Sequence, residues 1–105
     1  MTCAAEEAKR NEAREKLADA ERESEEAYSR AVSAVYRVEH SCGKGAGGNQ
    51  AACAAAQADL EIATQALEQA MSDLSVRLGE LEQAQGEYST CVSNCPKWHW
   101  YIPGL

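Results

Sequence analysis

Five cysteines and two histidines are the side chains in this 105-residue sequence with the most distinctive reactivity: Cys3, Cys42, Cys53, Cys91, Cys95, His40 and His99. Their spacing suits three chemistries. The first is disulfide formation. Cys42 and Cys53 flank a glycine-rich stretch, Cys3 lies 39 residues before Cys42, and Cys91 lies 38 residues after Cys53. At about 1.5 Å of rise per residue, helices of those lengths climb about 58 and 57 Å. If Cys42 faces Cys53 at one end, Cys3 therefore faces Cys91 at the other. Cys95, one helical turn beyond Cys91, is the alternative partner for Cys3. Bridges Cys42–Cys53 and Cys3–Cys91 would leave Cys95 free or available to a second chain, because five is odd. So high a cysteine content in a short chain implies an extracellular or otherwise oxidising compartment.

The second chemistry is zinc binding. Cys91, Cys95 and His99 are spaced four and four, and with Cys3 they would supply three thiolates and an imidazole in a tetrahedral set. Pro96 interrupts the register before His99, and no CxxC knuckle is present, so the sequence implies no metal and no cofactor. The third is thiol–disulfide exchange, which the same missing CxxC argues against. Other catalytic patterns are missing as well. Gly43-Lys44-Gly45-Ala46-Gly47-Gly48-Asn49 lacks the preceding strand of a phosphate loop, and there is no HExxH or nucleophile elbow. The expectation is a protein that is not an enzyme.

These residues are positioned by two long stretches of helix-forming composition, about 4–41 and 50–94, joined by a turn at 42–49. Four glycines in six residues stop the first helix. Thr2 and Asn49 are candidate N-caps, and Pro96 ends the second helix. A short link between long helices predicts an all-α fold, an antiparallel two-helix hairpin spanning 1–95 with an extended tail at 96–105.

The apolar period is seven. One row of the second helix reads Cys53, Leu60, Leu67, Leu74, Leu81, Tyr88, Cys95, and its companion reads Ala56, Ala63, Ala70, Arg77, Ala84, Cys91. The first helix carries Cys3, Arg10, Leu17, Ser24, Ala31, Val38 beside Ala13, Ala20, Ala27, Ala34. One seam row of each helix is thus largely alanine, which lets the helices approach closely in an Ala-rich coiled coil. Glu6/Arg10, Glu12/Lys16, Arg22/Glu26, Glu26/Arg30 and Asp73/Arg77 are surface pairs four residues apart.

Composition narrows the partners. The net charge is −7, and the basic residues are interspersed with acids, which excludes a nucleic-acid-binding surface. No apolar run approaches a membrane span. Met1 is followed by polar sequence, so no signal peptide is expected, which leaves open a cytosolic protein, export by a route that needs no such signal, or a leader already removed. The hydrophobic fraction of 45% includes twenty alanines and no Phe, so a thick core is not available.

The bulky residues lie elsewhere. Trp98, Trp100, Tyr101 and Ile102 crowd into the tail, in the residue types enriched at interface anchors. Val32, Tyr36, Ile62 and Val76 fall on positions that the heptad points away from the two-helix seam. Gly79 and Gly86, seven apart in a row with Ser72 and Ser93, form a smooth strip where another helix or an extended segment can lie. These residues predict an interface with a further copy of the chain or with another protein.

In length and layout the chain is similar to the small helical-hairpin proteins exported by specialised bacterial secretion systems, which dimerise into four-helix bundles. The likeness covers both helices and is architectural. The Trp-x-Gly turn of that family is replaced by Gly43–Gly48, no matching acidic export signal follows Tyr88, and five cysteines depart from its pattern. No functional residue carries over. The sequence reads as a structural or assembly subunit that self-associates through its helix faces and aromatic tail into a filament or other oligomer. The alternatives are a small secreted binding module, dimeric as a four-helix bundle, and a zinc-stabilised hairpin.

Overall fold

The computed structural model describes residues 2–43 and 49–94. It contains two α-helices, α1 (Ala4–Cys42) and α2 (Gln50–Asn94), packed as an antiparallel hairpin. Among the described residues there is no strand.

Both helix starts and the end of α1 have a local cause. At the start of α2 the Asn49 side-chain oxygen accepts from the Ala52 N–H at 3.0 Å, and its backbone carbonyl accepts from Cys53 at 3.1 Å. Asn49 is therefore the N-cap, satisfying a donor that the first helical turn leaves over. At the start of α1 that position belongs to Cys3, whose carbonyl accepts from Glu7 at 2.8 Å. Thr2 stands one residue too early to cap, which corrects the sequence expectation. Glu6 and Glu7 in the first turn complement the helix dipole instead. α1 runs one residue further than expected, to Cys42, and Gly43 follows with its N–H on the Glu39 carbonyl at 3.0 Å. A Cβ on residue 43 would sit 2.5 Å from that same carbonyl oxygen, so the turn begins where a glycine is required.

Packing divides the chain into two compact units, Asp19–Leu74 and Met1–Ala18 with Ser75–Leu105. In the unit Asp19–Leu74 the buried residues are Ala20, Ala27, Ala34 and Ala56, and the half-buried row beside them includes Leu60, Leu67 and Leu74. In the other unit Ala13 and Ala84 are buried, with Leu17, Leu81 and Tyr88 half-buried. Every fully buried residue among those described is thus an alanine on a seven-residue row. Each contributes on the order of 0.8 kcal/mol through its methyl group, so no single side chain dominates the core.

A disulfide closes each unit. Cys42–Cys53 has a Cα–Cα distance of 4.8 Å and Cys3–Cys91 one of 5.9 Å. Both fall within the range a cystine spans, about 4.4–6.8 Å. Of the two partners the sequence leaves open for Cys3, the structure contains Cys91, and Cys95 lies outside the described residues. In a seam built from methyl groups, covalent closure supplies stability that burial of larger side chains provides elsewhere.

Candidate functional site

The rows that flank the alanine seam have opposite characters. In the unit of Met1–Ala18 and Ser75–Leu105, the flank is ionic. Lys9, Lys16, Glu80 and Glu87 line a surface cleft of about 220 Å³ together with Glu12, Gln83 and the seam residues Ala13 and Ala84. Lys9 Nζ donates to Glu87 Oε2 at 3.1 Å, joining α1 to α2 across 78 residues of sequence. Gln83 Nε2 donates to the other Glu87 oxygen at 3.4 Å. The hydrogen bond from Lys9, then its positive charge, then the Gln83 contact hold the Glu87 carboxyl below its ordinary pKa of 4.5.

Beside this cleft, Arg10 occupies a seam position. Its guanidinium lies 4.3 Å from the centre of the Tyr88 ring, a cation–π distance, and its Nε is buried with no hydrogen-bond partner. Other ion pairs are local. Lys16 pairs with Glu12 at 3.3 Å, Arg22 with Asp19 at 2.9 Å and Arg77 with Glu80 at 2.8 Å. Arg22 thus turns back three residues to Asp19, whereas the four-residue spacing points to Glu26.

In the unit Asp19–Leu74 the flank is apolar. Tyr28 from α1 and Leu67, Met71 and Leu74 from α2 form an open groove of about 410 Å³, rimmed by Ser24, Glu25 and Ser29. Tyr28 and Met71 are 61% and 58% exposed. The Ser24 hydroxyl is already engaged, donating to the Glu21 carbonyl at 2.8 Å. Compared with protein-family models, with curated proteins and with solved structures, the chain matches none. The groove's own chemistry is therefore the guide to what it does.

The residues expected to form an interface are distributed as follows. Tyr36 and Ile62 are well exposed in the unit Asp19–Leu74, on the outward faces of α1 and α2, while Val32 is half-buried. In the other unit Val76 is exposed, and Gly79 and Gly86 are exposed with open space where a side chain would stand. Trp98, Trp100, Tyr101 and Ile102 lie outside the described residues. The zinc alternative loses two donors, because Cys3 and Cys91 are bonded to each other and supply no thiolate. Its other members, Cys95 and His99, lie outside the described residues. Among the described residues no group of three or more His, Cys, Asp or Glu is arranged to hold a metal ion. Nor, among them, is any helix long and apolar enough to cross a membrane.

Sequence reasoning missed Tyr28, Val35, Met71, Leu78 and Val92, all exposed apolar residues. Their signal is nevertheless periodic. Tyr28 and Val35 are seven apart, as are Met71 and Leu78, with Val92 fourteen further on. The row stands four residues after the seam row on each helix, immediately beside it.

Proposed function

We propose that the protein is a non-enzymatic structural subunit of an oxidising, extracellular setting that self-associates by burying its apolar flanks and its aromatic C-terminal residues against neighbouring copies. One observation carries this reading: large apolar side chains stand exposed on both helices, while the seam buries only alanines and half-buries its leucines. The fully buried positions hold only alanine, while Tyr28, Tyr36, Ile62, Met71 and Val76 are all more than half exposed. Single exposed apolar residues are ordinary. A hairpin whose seam only half-buries its leucines and leaves these larger groups outside has its second hydrophobic layer still to form. Full burial of such a side chain contributes about 1.5–3 kcal/mol, so a few of them suffice for association.

The two disulfides support the oxidising compartment, since cystines persist where the thiol pool does not reduce them. Sedimentation velocity over a wide concentration range, without reductant, tests the proposal. Species that grow with concentration support a subunit, and a monomer at every concentration refutes it. The second reading is a secreted module that grips a different protein. The net charge of −7 favours it, because like-charged copies repel through their polar faces. Association that appears only with added salt would show that this repulsion limits assembly.

A further inference from the structure

We infer that the groove of Tyr28, Leu67, Met71 and Leu74 receives the C-terminal aromatic segment of a second copy of this chain, so that association is head-to-tail. This rests on the self-association proposed above and specifies its contact. The groove has an apolar floor and a single charged lining residue, Glu25, with no basic group on its walls. A matching occupant is aromatic and neutral to basic.

The residues after Asn94 meet that description. Cys95–Leu105 contains both tryptophans of the chain, Tyr101 and Ile102, together with Lys97 and His99, and no Asp or Glu. With His neutral its side chains carry +1 (Lys97), so the whole-chain −7 leaves −8 on residues 1–94. A segment without acidic side chains is therefore not repelled by the acidic body, whereas two helical faces of the body repel. The contacts available are also of the right kind. The Met71 thioether favours an aromatic ring about 5 Å away. Tyr28 offers an edge or a face to an indole. Glu25 stands where Lys97 or His99 would find a carboxylate.

The dimensions agree. Leu67 to Leu74 covers about 10 Å of helix. Eleven residues reach at most about 36–40 Å when extended. Pro96 and Pro103 restrict the free segment and reduce the entropy lost on binding. The self-association proposed above makes a second copy the donor, and the concentration dependence described below separates that donor from the chain's own segment. Unless two copies exchange segments reciprocally and close, a contact between two different surfaces leaves one groove and one segment open in every pair, and it propagates.

Because both tryptophans are in the segment, tryptophan emission of the full chain reports on the segment alone. The experiment uses full-length protein carrying Cys95→Ser, which prevents covalent dimers. Sedimentation is followed against concentration for this protein, for Met71→Asp and Tyr28→Ser groove variants and for Trp98→Ala/Trp100→Ala, and tryptophan emission for all but the last, which has no tryptophan. Far-UV circular dichroism confirms that each variant keeps its helices; two groove variants guard against either one misfolding.

Emission should move to the blue as sedimentation rises. A groove variant should keep red emission and associate roughly thirtyfold or more weakly, the effect of losing a hot-spot residue. The double tryptophan variant should also fail to associate. An equimolar mixture of groove and tryptophan variants should form pairs and stop there, since each pair has one intact groove and one intact segment. Groove dependence without tryptophan dependence would mean face-to-face pairing, which overturns this inference and leaves self-association standing. Blue emission that depends on Met71 but not on concentration would place the segment in its own chain and overturn the second-copy donor. A monomer at every concentration would remove the self-association reading and this inference together.

Discussion

The two disulfides should not be equal in effect. Cys3–Cys91 joins residues 88 apart and Cys42–Cys53 residues 11 apart. In the loop-entropy model, closing these loops restricts the unfolded chain by about 4.6 and about 2.8 kcal/mol respectively. The inner bridge short-circuits the residues between Cys42 and Cys53, which lowers the outer figure by only about 0.1 kcal/mol. With an unfolding entropy of about 2.1 cal/mol/K per residue over the chain, the melting temperature should fall by about 20 °C without Cys3–Cys91 and about 13 °C without Cys42–Cys53. The variants are Cys3→Ala/Cys91→Ala and Cys42→Ala/Cys53→Ala, both with Cys95→Ser to prevent re-pairing. Alanine is preferable to serine at residue 3, because Cys3 holds the N-cap position and a serine there would add a cap. Urea and thermal unfolding followed at 222 nm give both stabilities. A Cys42/Cys53 variant that loses as much stability as the Cys3/Cys91 variant, or more, would refute the reasoning, because the longer loop must constrain the unfolded chain more.

Other substitutions probe the seam, the flank and the glycines. Ala27→Leu should cost about 1–3 kcal/mol by overpacking a buried methyl position, while Ala18→Leu on the exposed side of α1 should be nearly neutral; urea midpoints compare them. Glu87 has a folded-state pKa below its unfolded value. Its stabilising contribution is therefore fully present above about pH 4.5 and is lost as pH falls through the lower, folded-state pKa. Lys9→Gln should raise the Glu87 pKa toward 4.5 in a carboxyl-carbon NMR titration, and an unchanged value would sink the inter-helix pairing. Gly43→Ala should destabilise the hairpin, because its Cβ would collide with the Glu39 carbonyl. Gly79→Ala and Gly86→Ala meet open space and should each stabilise the free chain by about 1 kcal/mol. If they also weaken self-association by sedimentation, the glycine strip is an interface; unchanged association excludes it.

Much of the fold was legible because its determinants are local or repeat along the chain. The glycine stretch after Cys42 and the Asn49 cap mark where the helices stop and start. The seven-residue rows of Ala13, Ala20, Ala27 and Ala34 mark the seam face of α1. The site was less legible. Tyr28 and Met71 sit one row away from the seam, where a residue is buried or exposed according to how each helix is rotated about its own axis. Periodicity alone locates a helix face only to within a row of this kind, so outward-pointing Tyr36 and Ile62 were read and their neighbours were not. The cap at Cys3 was misread for a related reason: Thr2 has the better capping side chain, but the helix begins at Ala4 beside a residue tied to Cys91.

By itself the sequence determined two helices, their antiparallel sense and the near-equal arms that allow Cys3 to meet Cys91 and Cys42 to meet Cys53. Those follow from counting residues along a regular rise, which requires no knowledge of a neighbour. Tertiary structure alone decided which polar and apolar groups meet across the seam. Lys9 reaches Glu87 and stays out of its own helix's pairs, Arg10 lies over Tyr88, and Tyr28 stands beside Met71 to leave a groove. Side-chain partners on different helices depend on axial register and rotation to within a few ångströms. That precision comes from the packing of methyl groups against one another, not from the pattern of any one helix.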